Sequence, residues 1–382
     1  MTALLTALAF GTLGFFAAFA AALFGSRGYR RNLGTVAPCK VCPPVSVIIA
    51  ARNEQRNIAE ALSSVMAQDY PAKEIVVVND RSTDATGAIL EELGANGPQL
   101  HVVTVTDLPP GWLGKNHALW LGAQRAQGDI LLFTDADVVM EPSAVSRAVS
   151  YMERTGIDHL AVGPEVAMKG WILNCFAAAF MIFFTLYARP WAVRNPKSGA
   201  HIGIGAFNMV RRKAYQHAGG HRAIAMRPDD DMKLGKLIKK KRFRQDLLAG
   251  RGMLRVEWYA SAGEMVRGLE KNTFAGVNYN WALLIAGTLA CLLGFAWPFA
   301  AVLLTSGITW WCNLGVVGAI CLIYFECASA NGIRLRYGLG LPLATLLFVY
   351  VLWRSAIVIT LKGGIDWRGT HYGLEELKKN RV

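Results

Sequence analysis

Charge is scarce in this chain. Only 18% of its residues are Asp, Glu, Lys or Arg, whereas 53% are hydrophobic; an average soluble domain carries about 25% charged residues. The scarcity is also local. No charged residue occurs from Thr2 to Phe24, from Trp171 to Ala188, or from Thr273 to the residue before Glu326. Runs of that length exclude a wholly soluble domain, because a hydrocarbon core of ~30 Å needs about 20 apolar residues of helix. Cysteine chemistry is also thin. There are seven cysteines, an odd number, which argues against a disulfide framework. Cys39 and Cys42 form a CxxC without a second pair or a nearby histidine, which argues against a zinc site. There is no nucleic-acid-binding module and no basic stripe interleaved with aromatics, so the net charge of +13 reads as affinity for anionic lipid and anionic substrates.

Hydropathy predicts an N-terminal transmembrane anchor over residues 1–26. Arg27, Arg30 and Arg31 follow it and place the next segment in the cytoplasm. About three C-terminal membrane segments are expected over 279–361, near 279–304, 308–327 and 337–361, followed by a basic tail, 362–382. Three full spans there would put the tail outside the cytoplasm, against its own basic charge, so one segment is expected to be re-entrant or interfacial. The stretch at about 171–188 is read as an interfacial helix, because motifs on both sides of it should share one site. The expected location is the inner cell membrane, multi-pass, with a cytoplasmic catalytic domain over 43–275.

Within that domain short β-branched runs alternate with helical periodicity. Strands are expected at 45–50, 74–79, 100–105 and 130–134, and helices at 53–68, 84–93, 116–126 and 142–154, with Ser82 or Thr83 capping the second helix. This order predicts an α/β fold, a mostly parallel sheet with helices on both faces, whose ligands sit at the carboxyl ends of the strands. The polar residues gather there. Arg52, Asn53 and Glu54 follow the first strand, Asn79 and Asp80 end the second, and Asp135 and Asp137 end the fourth. Two carboxylates at i and i+2 repel unless a cation joins them, and hard oxygen ligands suit Mg²⁺ or Mn²⁺. Leu108–Asn116 opens a helix, where glycine backbone, helix N-terminus and the Lys115 cation all favour a diphosphate. As plain structural residues, these would be turn formers and helix caps.

Four segments in this order, VSVIIAARNE, VVVNDRSTD, PPGWLGKNHAL and LLFTDADV, resemble the family 2 inverting glycosyltransferases of the nucleotide-diphospho-sugar (GT-A) fold. The third is most similar to the membrane-bound subgroup that includes hopanoid-associated, carotenoid and ceramide-type glycosyltransferases. The resemblance implies that Glu54, Asp80, Lys115 and Asp135 contact the donor, that Asp137 is the more direct metal ligand beside Asp135, and that Asp84 is first a helix cap. In Arg227-Pro-Asp-Asp-Asp-Met-Lys-Leu-Gly235 it implies Asp231 as the catalytic base, with Asp230 as runner-up because three successive aspartates leave the register open. Gly203–Arg212 resembles the acceptor side; His201 and His221 are expected to be solvated or capping residues. The chain departs from the family's (Q/R)xxRW motif, since Met265–Asn272 has no Arg-Trp pair. Arg267 and Lys271 are the candidates to replace its charge, and the departure argues against a processive polymer synthase. The cations between Lys233 and Arg244 read equally as a solvated helix face and as a seat on anionic lipid. Trp367-Arg368-Gly369 resembles a tail motif of ceramide-type relatives that would close the site.

The activity implied is metal-dependent transfer of a hexose from a UDP-sugar to a membrane lipid. The alternative is transfer to a polyisoprenyl phosphate. A binding or scaffold protein of degenerate transferase fold is disfavoured by the intact acidic residues.

Overall fold

The computed structural model describes residues 2–39, 43–380 and 382, so Cys42 of the CxxC lies outside them. The chain forms two compact units. One comprises Met1–Arg30, Met168–Trp191 and Trp258–Lys362; the other comprises Arg31–Ala167, Ala192–Glu257 and Gly363–Val382.

The second unit is built on an eight-stranded sheet. Its strands are β1 (Val45–Ala51), β2 (Lys73–Asp80), β3 (Leu100–Val105), β4 (Ile130–Asp135), β5 (Val139–Met140), β6 (His159–Ala167), β7 (Asn208–Arg211) and β8 (Gln245–Glu257), in the order β3-β2-β1-β4-β7-β6-β8-β5. The half β3-β2-β1-β4 is parallel, as the sequence predicts. The other half is mixed, because β7 runs antiparallel to both β4 and β6, and β5 antiparallel to β8.

Strands β1, β2 and β4 are apolar on both faces because both faces are covered. On one face Val47, Ile49, Val77 and Leu132 pack with Ile58, Leu62, Val145 and Val149 from two helices. On the other, Ile48, Leu131, Phe133 and Val210 pack with Leu119, Ala123, Leu234 and Ile238. Each such side chain contributes about 1.5–3 kcal/mol by leaving water, and truncating Ile49 to Ala would cost about 2–5 kcal/mol.

Two local expectations need correction. The first helix runs Ile58–Met66 and starts five residues later than the periodicity predicts. The intervening residues join the loop after β2 instead. Asn53 adopts a left-handed backbone, φ 54°. The Asn53 N–H donates to Ser82 Oγ (3.1 Å), the Glu54 N–H to Thr86 Oγ1 (2.8 Å) and the Thr83 N–H to Asn53 Oδ1 (2.8 Å). Ser82 therefore serves this loop, and neither it nor Thr83 caps the helix Thr86–Asn96. Asp84 Oδ1 accepts the Thr86 N–H at 2.9 Å.

The first unit is helical. Among the described residues five helices are long and apolar enough to cross a membrane: Thr2–Gly25, Trp171–Val193, Trp281–Leu304, Gly307–Asn331 and Leu335–Lys362. The first runs alongside Gly307–Asn331 in the same direction. Thr6 meets Thr309 through their hydroxyls (2.6 Å), Phe16 packs edge-on against Phe295 (5.0 Å), and Arg27 and Arg30 both pair with Glu326. The charge that ends the long apolar run is thus matched by the two arginines that follow the first helix. Cys175, Ala178 and Ile182 of the helix Trp171–Ala188 pack with Tyr324, Cys327 and Leu341. Its Leu173 and Phe176 pack with Met265, Leu269 and Val351.

Candidate active site

The site lies at the carboxyl ends of the parallel strands in the second unit. Ala51 of β1 pairs with Asn79 of β2, and Ala50 pairs with Asp135 of β4, so the residues that follow these strands emerge side by side. The helix Gly114–Arg125 brings in Lys115, and the helix Asp230–Lys240 brings in Asp230 and Asp231 in its first turn.

Lys115 ties the two acidic segments together. Its Nζ lies 2.8 Å from Asp135 Oδ1 and 3.4 Å from Asp230 Oδ1. Burial opposes its charge, but the carboxylates of Asp135, Asp230 and Asp231 outweigh that and raise its pKa. The glycine segment Gly203–Gly205 runs between the acids. The Gly205 N–H donates to Asp231 Oδ2 (2.8 Å) and its carbonyl accepts the Asp135 N–H (3.1 Å). A Cβ on Gly205 would stand 2.6 Å from Asp135 Oδ2, and one on Gly203 would fall on the Asp231 carbonyl. Side chains are excluded there because backbone must pass between two carboxylates.

The three successive aspartates have three different settings. Asp229 takes a two-bond contact from the buried Arg227 (2.8 and 2.9 Å) and faces Lys233 (3.5 Å), which makes it structural. Asp230 faces Lys115. Asp231 also accepts the Met232 N–H at 2.7 Å. Its carboxyl is nevertheless pushed up to about 7, by burial first and by Asp230 second. Asp137 is likewise pushed up to about 7, by burial and then by Asp135 and Glu54.

Two other predicted donor residues are held by arginines. Both oxygens of the buried Asp80 receive Arg81 (2.7 and 3.0 Å), and Arg52 approaches at 3.6 Å. Arg81 reaches it from a left-handed backbone, φ 54°. Glu54 pairs with Arg368. Its pKa is raised by burial against the opposing pull of Arg368. Asp84 accepts backbone N–H groups from Thr86 and Gln55 and is a loop and helix-end residue here.

Asp135 and Asp137 supply hard oxygen donors. Among the described residues no three His, Cys, Asp or Glu side chains converge as a metal site. The protein would therefore offer one or two carboxylates, leaving other positions for water and phosphate oxygens, the pattern Mg²⁺ and Mn²⁺ use. The raised Asp137 carboxyl marks a deficit of positive charge that such a cation would fill, while Asp135 already has Lys115.

Several side chains sit differently from expectation. His221 is in the core, not solvated. It lies 4.7 Å from the Phe133 ring, its Nδ1 is 2.9 Å from Tyr215 Oη, and burial lowers its pKa to about 3. In the basic cluster, Lys233 turns inward to Asp229, Lys239 donates to the carbonyls of Val193 and Asn195, and Lys236 donates to the Val382 carbonyl. Lys240, Lys241, Arg242 and Arg244 remain exposed. The arginines on Asp80 and the Gly205 N–H on Asp231 were not anticipated. Arg81 adjoins Asp80 in sequence and could have been weighed, whereas nothing local signals the Gly205 contact.

Residues 46–219 match the family model described as Glycosyl transferase family 2. The chain is 26% identical over 260 residues to the 4,4'-diaponeurosporenoate glycosyltransferase of Staphylococcus haemolyticus (strain JCSC1435), covering 66% of this chain and 68% of that one. It is 27% identical over 181 residues to the protein of the same name from Staphylococcus aureus (strain MRSA252), covering 47% of each. It thus spans about two thirds of one relative and about half of the other. Among solved structures, a mannosyltransferase from Pyrobaculum calidifontis, PcManGT, in complex with GDP-Man and Mn²⁺, superposes with a TM-score of 0.53 over 94% of this chain and 99% of that one, at 20% identity, a likeness of fold. The acidic strand ends, the parallel half-sheet that presents them and the matched segment agree: residues 46–219 form a family 2 glycosyltransferase domain, and the chain is a glycosyltransferase of the GT-A fold.

Proposed function

We propose that the chain transfers a hexose from a nucleoside-diphosphate sugar, a UDP-sugar by preference, to a membrane lipid, with inversion at the anomeric carbon. The observation that carries this reading is Lys115 set between Asp135 and Asp230, at 2.8 and 3.4 Å, beside Asp137 and Asp231, whose carboxyls are pushed up to about 7. Asp137, with Asp135, would hold Mg²⁺ or Mn²⁺, and a cation held there would supply neutralisation of the charge on the departing diphosphate. Lys115 adds a fixed cation beside it. Asp231 accepts the proton of the acceptor hydroxyl as the oxygen bonds to the anomeric carbon and the bond to the diphosphate breaks. A carboxyl near 7 is matched to that task. Attack from the face opposite the leaving group turns an α-linked donor into a β-linked product. The relatives' names, which refer to 4,4'-diaponeurosporenoate, support a carotenoid-type lipid acceptor.

The test is nucleotide release by the detergent-purified chain. UDP-glucose, UDP-galactose, UDP-N-acetylglucosamine and GDP-mannose would be screened with Mg²⁺ or Mn²⁺, with and without membrane lipid extract. Release that needs metal, favours one UDP-sugar and rises with lipid is expected. No release from any donor would overturn the proposal, and preference for polyisoprenyl phosphate would move the acceptor.

The proposed location is the inner membrane with the sheet unit in the cytoplasm, supported by Arg27, Arg30 and Arg31. Sheet continuity supports a specific path. β6 precedes and β7 follows the helix Trp171–Ala188, and the two strands pair. That helix therefore enters and leaves on one side, in keeping with an interfacial helix. Residues 363–382 belong to the same unit as the sheet, which supports an even number of crossings in the apolar block before them. We assign the crossings to Trp281–Leu304 and Gly307–Asn331, with Leu341–Lys362 at the cytoplasmic face. In a chain whose native cysteines are replaced, Ser306→Cys should react with an impermeant thiol reagent from outside and Arg334→Cys only after permeabilisation. Labelling of Arg334→Cys from outside would reverse this path.

A further inference from the structure

The last segment of the chain is fastened to three loops of the site. It begins with a hairpin, β9 (Gly364–Trp367) and β10 (Thr370–Gly373), antiparallel and joined by the two residues Arg368 and Gly369. Both have positive φ, 51° and 79°. Two-residue turns of this kind favour Asn, Asp or Gly at the first position, where a long side chain is strained. Arg368 is held there, and its side chain spans back to the first strand. It donates to Glu54 Oε1, to the Arg52 carbonyl and to the Asn53 carbonyl (3.2 Å). Strain of this kind persists where the surroundings over-determine it, commonly at functional sites.

The other contacts repeat the pattern. Tyr372 Oη accepts the Gly114 N–H at 3.2 Å, at the head of the helix that carries Lys115. Asn380 accepts the Met226 N–H (3.0 Å) and donates to the Ala223 carbonyl (3.0 Å), in the segment that leads into Asp230 and Asp231. Ile365, Tyr372 and Leu377 bury their side chains. Two of these segments carry residues already placed in the site, Glu54 and Lys115, and the third leads into Asp230 and Asp231; the hairpin brings an arginine to the first and a tyrosine to the second.

We propose that Arg368 and Tyr372 are positioning residues for the nucleotide-sugar donor: the C-terminal hairpin is a strap that sets the Glu54 loop and the Gly114–Lys115 helix start at the spacing the donor requires. The inference rests on the reading of Glu54 and Lys115 as donor-side residues.

The experiment compares full-length wild type with Arg368→Gly, Arg368→Lys and Tyr372→Phe in detergent. Glycine suits φ 51°, so Arg368→Gly keeps the turn and removes only the guanidinium. Arg368→Gly should raise the donor KM about tenfold, the scale of one charge-assisted hydrogen bond. It should leave kcat within about twofold and Tm unchanged or higher; Arg368→Lys should recover part of the KM. A wild-type donor KM in Arg368→Gly, or a rise in KM accompanied by a fall of both Tm and kcat, would overturn the strap. Calorimetry with UDP and GDP in Mn²⁺ separates the two readings. If the wild type binds neither, the donor-site reading fails and the strap with it. If wild type and Arg368→Gly bind equally well, only the strap fails.

Discussion

Two kinds of carboxylate share this site. Glu54 and Asp80 are each gripped by arginine, Arg368 on one and Arg81 with Arg52 on the other. Asp137 and Asp231 are half-buried with another carboxylate as a leading neighbour, and both are pushed up to about 7. Each of the first pair has a cation in contact and can serve as fixed recognition, even though burial still raises the Glu54 carboxyl. The second pair is short of positive charge and can take up a cation or a proton. Static contact and chemistry are thus separated by the charge placed beside each acid.

The most direct way to break the contrast is Asp231→Asn. Turnover should fall by about 10²–10⁴, the usual contribution of a general base, with nucleotide affinity nearly unchanged. In the wild type, turnover should rise with pH through about 7 as Asp231 loses its proton, and the variant's residual activity should lack that limb. Asp230→Asn losing activity while Asp231→Asn keeps it would transfer the role to the runner-up.

Asp137→Asn should sharpen the contrast by acting oppositely on activity and stability. Metal-dependent nucleotide release should fall by about a hundredfold, on the scale of losing one electrostatic stabiliser. At pH 8 without metal the same variant should be more stable than wild type by about 1–3 kcal/mol, because a half-buried carboxylate short of positive charge is gone. Denaturant titration with and without Mn²⁺ reads both; a metal-free variant less stable than wild type would mean Asp137 is compensated by contacts of its own.

The smallest effect concerns a buried group outside the site. His159 bridges β6, β7 and β8, with Nε2 2.5 Å from Asn208 Oδ1 and Nδ1 3.0 Å from Gln245 Nε2. Burial lowers its pKa to about 4, against an ordinary value of about 6.5. The unfolded chain binds the extra proton first, so stability is fully present above about 6.5 and is lost as pH falls toward 4. Asp137 and Asp231 run the other way, binding protons in the folded state below about 7, so the test must be differential. Tm measured from pH 7.5 to 5 should fall less in His159→Gln than in wild type; parallel curves would remove His159 from the acid response.

Much of this was legible because it is local. Strands such as β1 and β4 are short apolar runs that end in polar residues, and a parallel half-sheet follows from their alternation with helices. The acids after β1, β2 and β4 are brought together by register alone, since parallel neighbours end side by side. What was misjudged depended on distant partners. The helix after β1 starts late because Asn53 and Glu54 satisfy their N–H groups on Ser82 and Thr86. His221 looks like a surface residue until Phe133 and Tyr215 enclose it, and Lys233 and Lys239 look like surface cations until Asp229 and two carbonyls claim them.

By itself the sequence determined the apolar helices, the parallel strands of the first half of the sheet and the placing of acids at the ends of those strands, because these depend on composition and short-range spacing. Tertiary structure decided which of three aspartates faces Lys115, which meets Gly205 and which is spent on Arg227. It also decided that a tail more than three hundred residues from Glu54 returns to hold it. The physical reason is the same in each case: burial and charge partners set what a carboxylate does, and both are properties of the folded neighbourhood, not of the residue or its flanks.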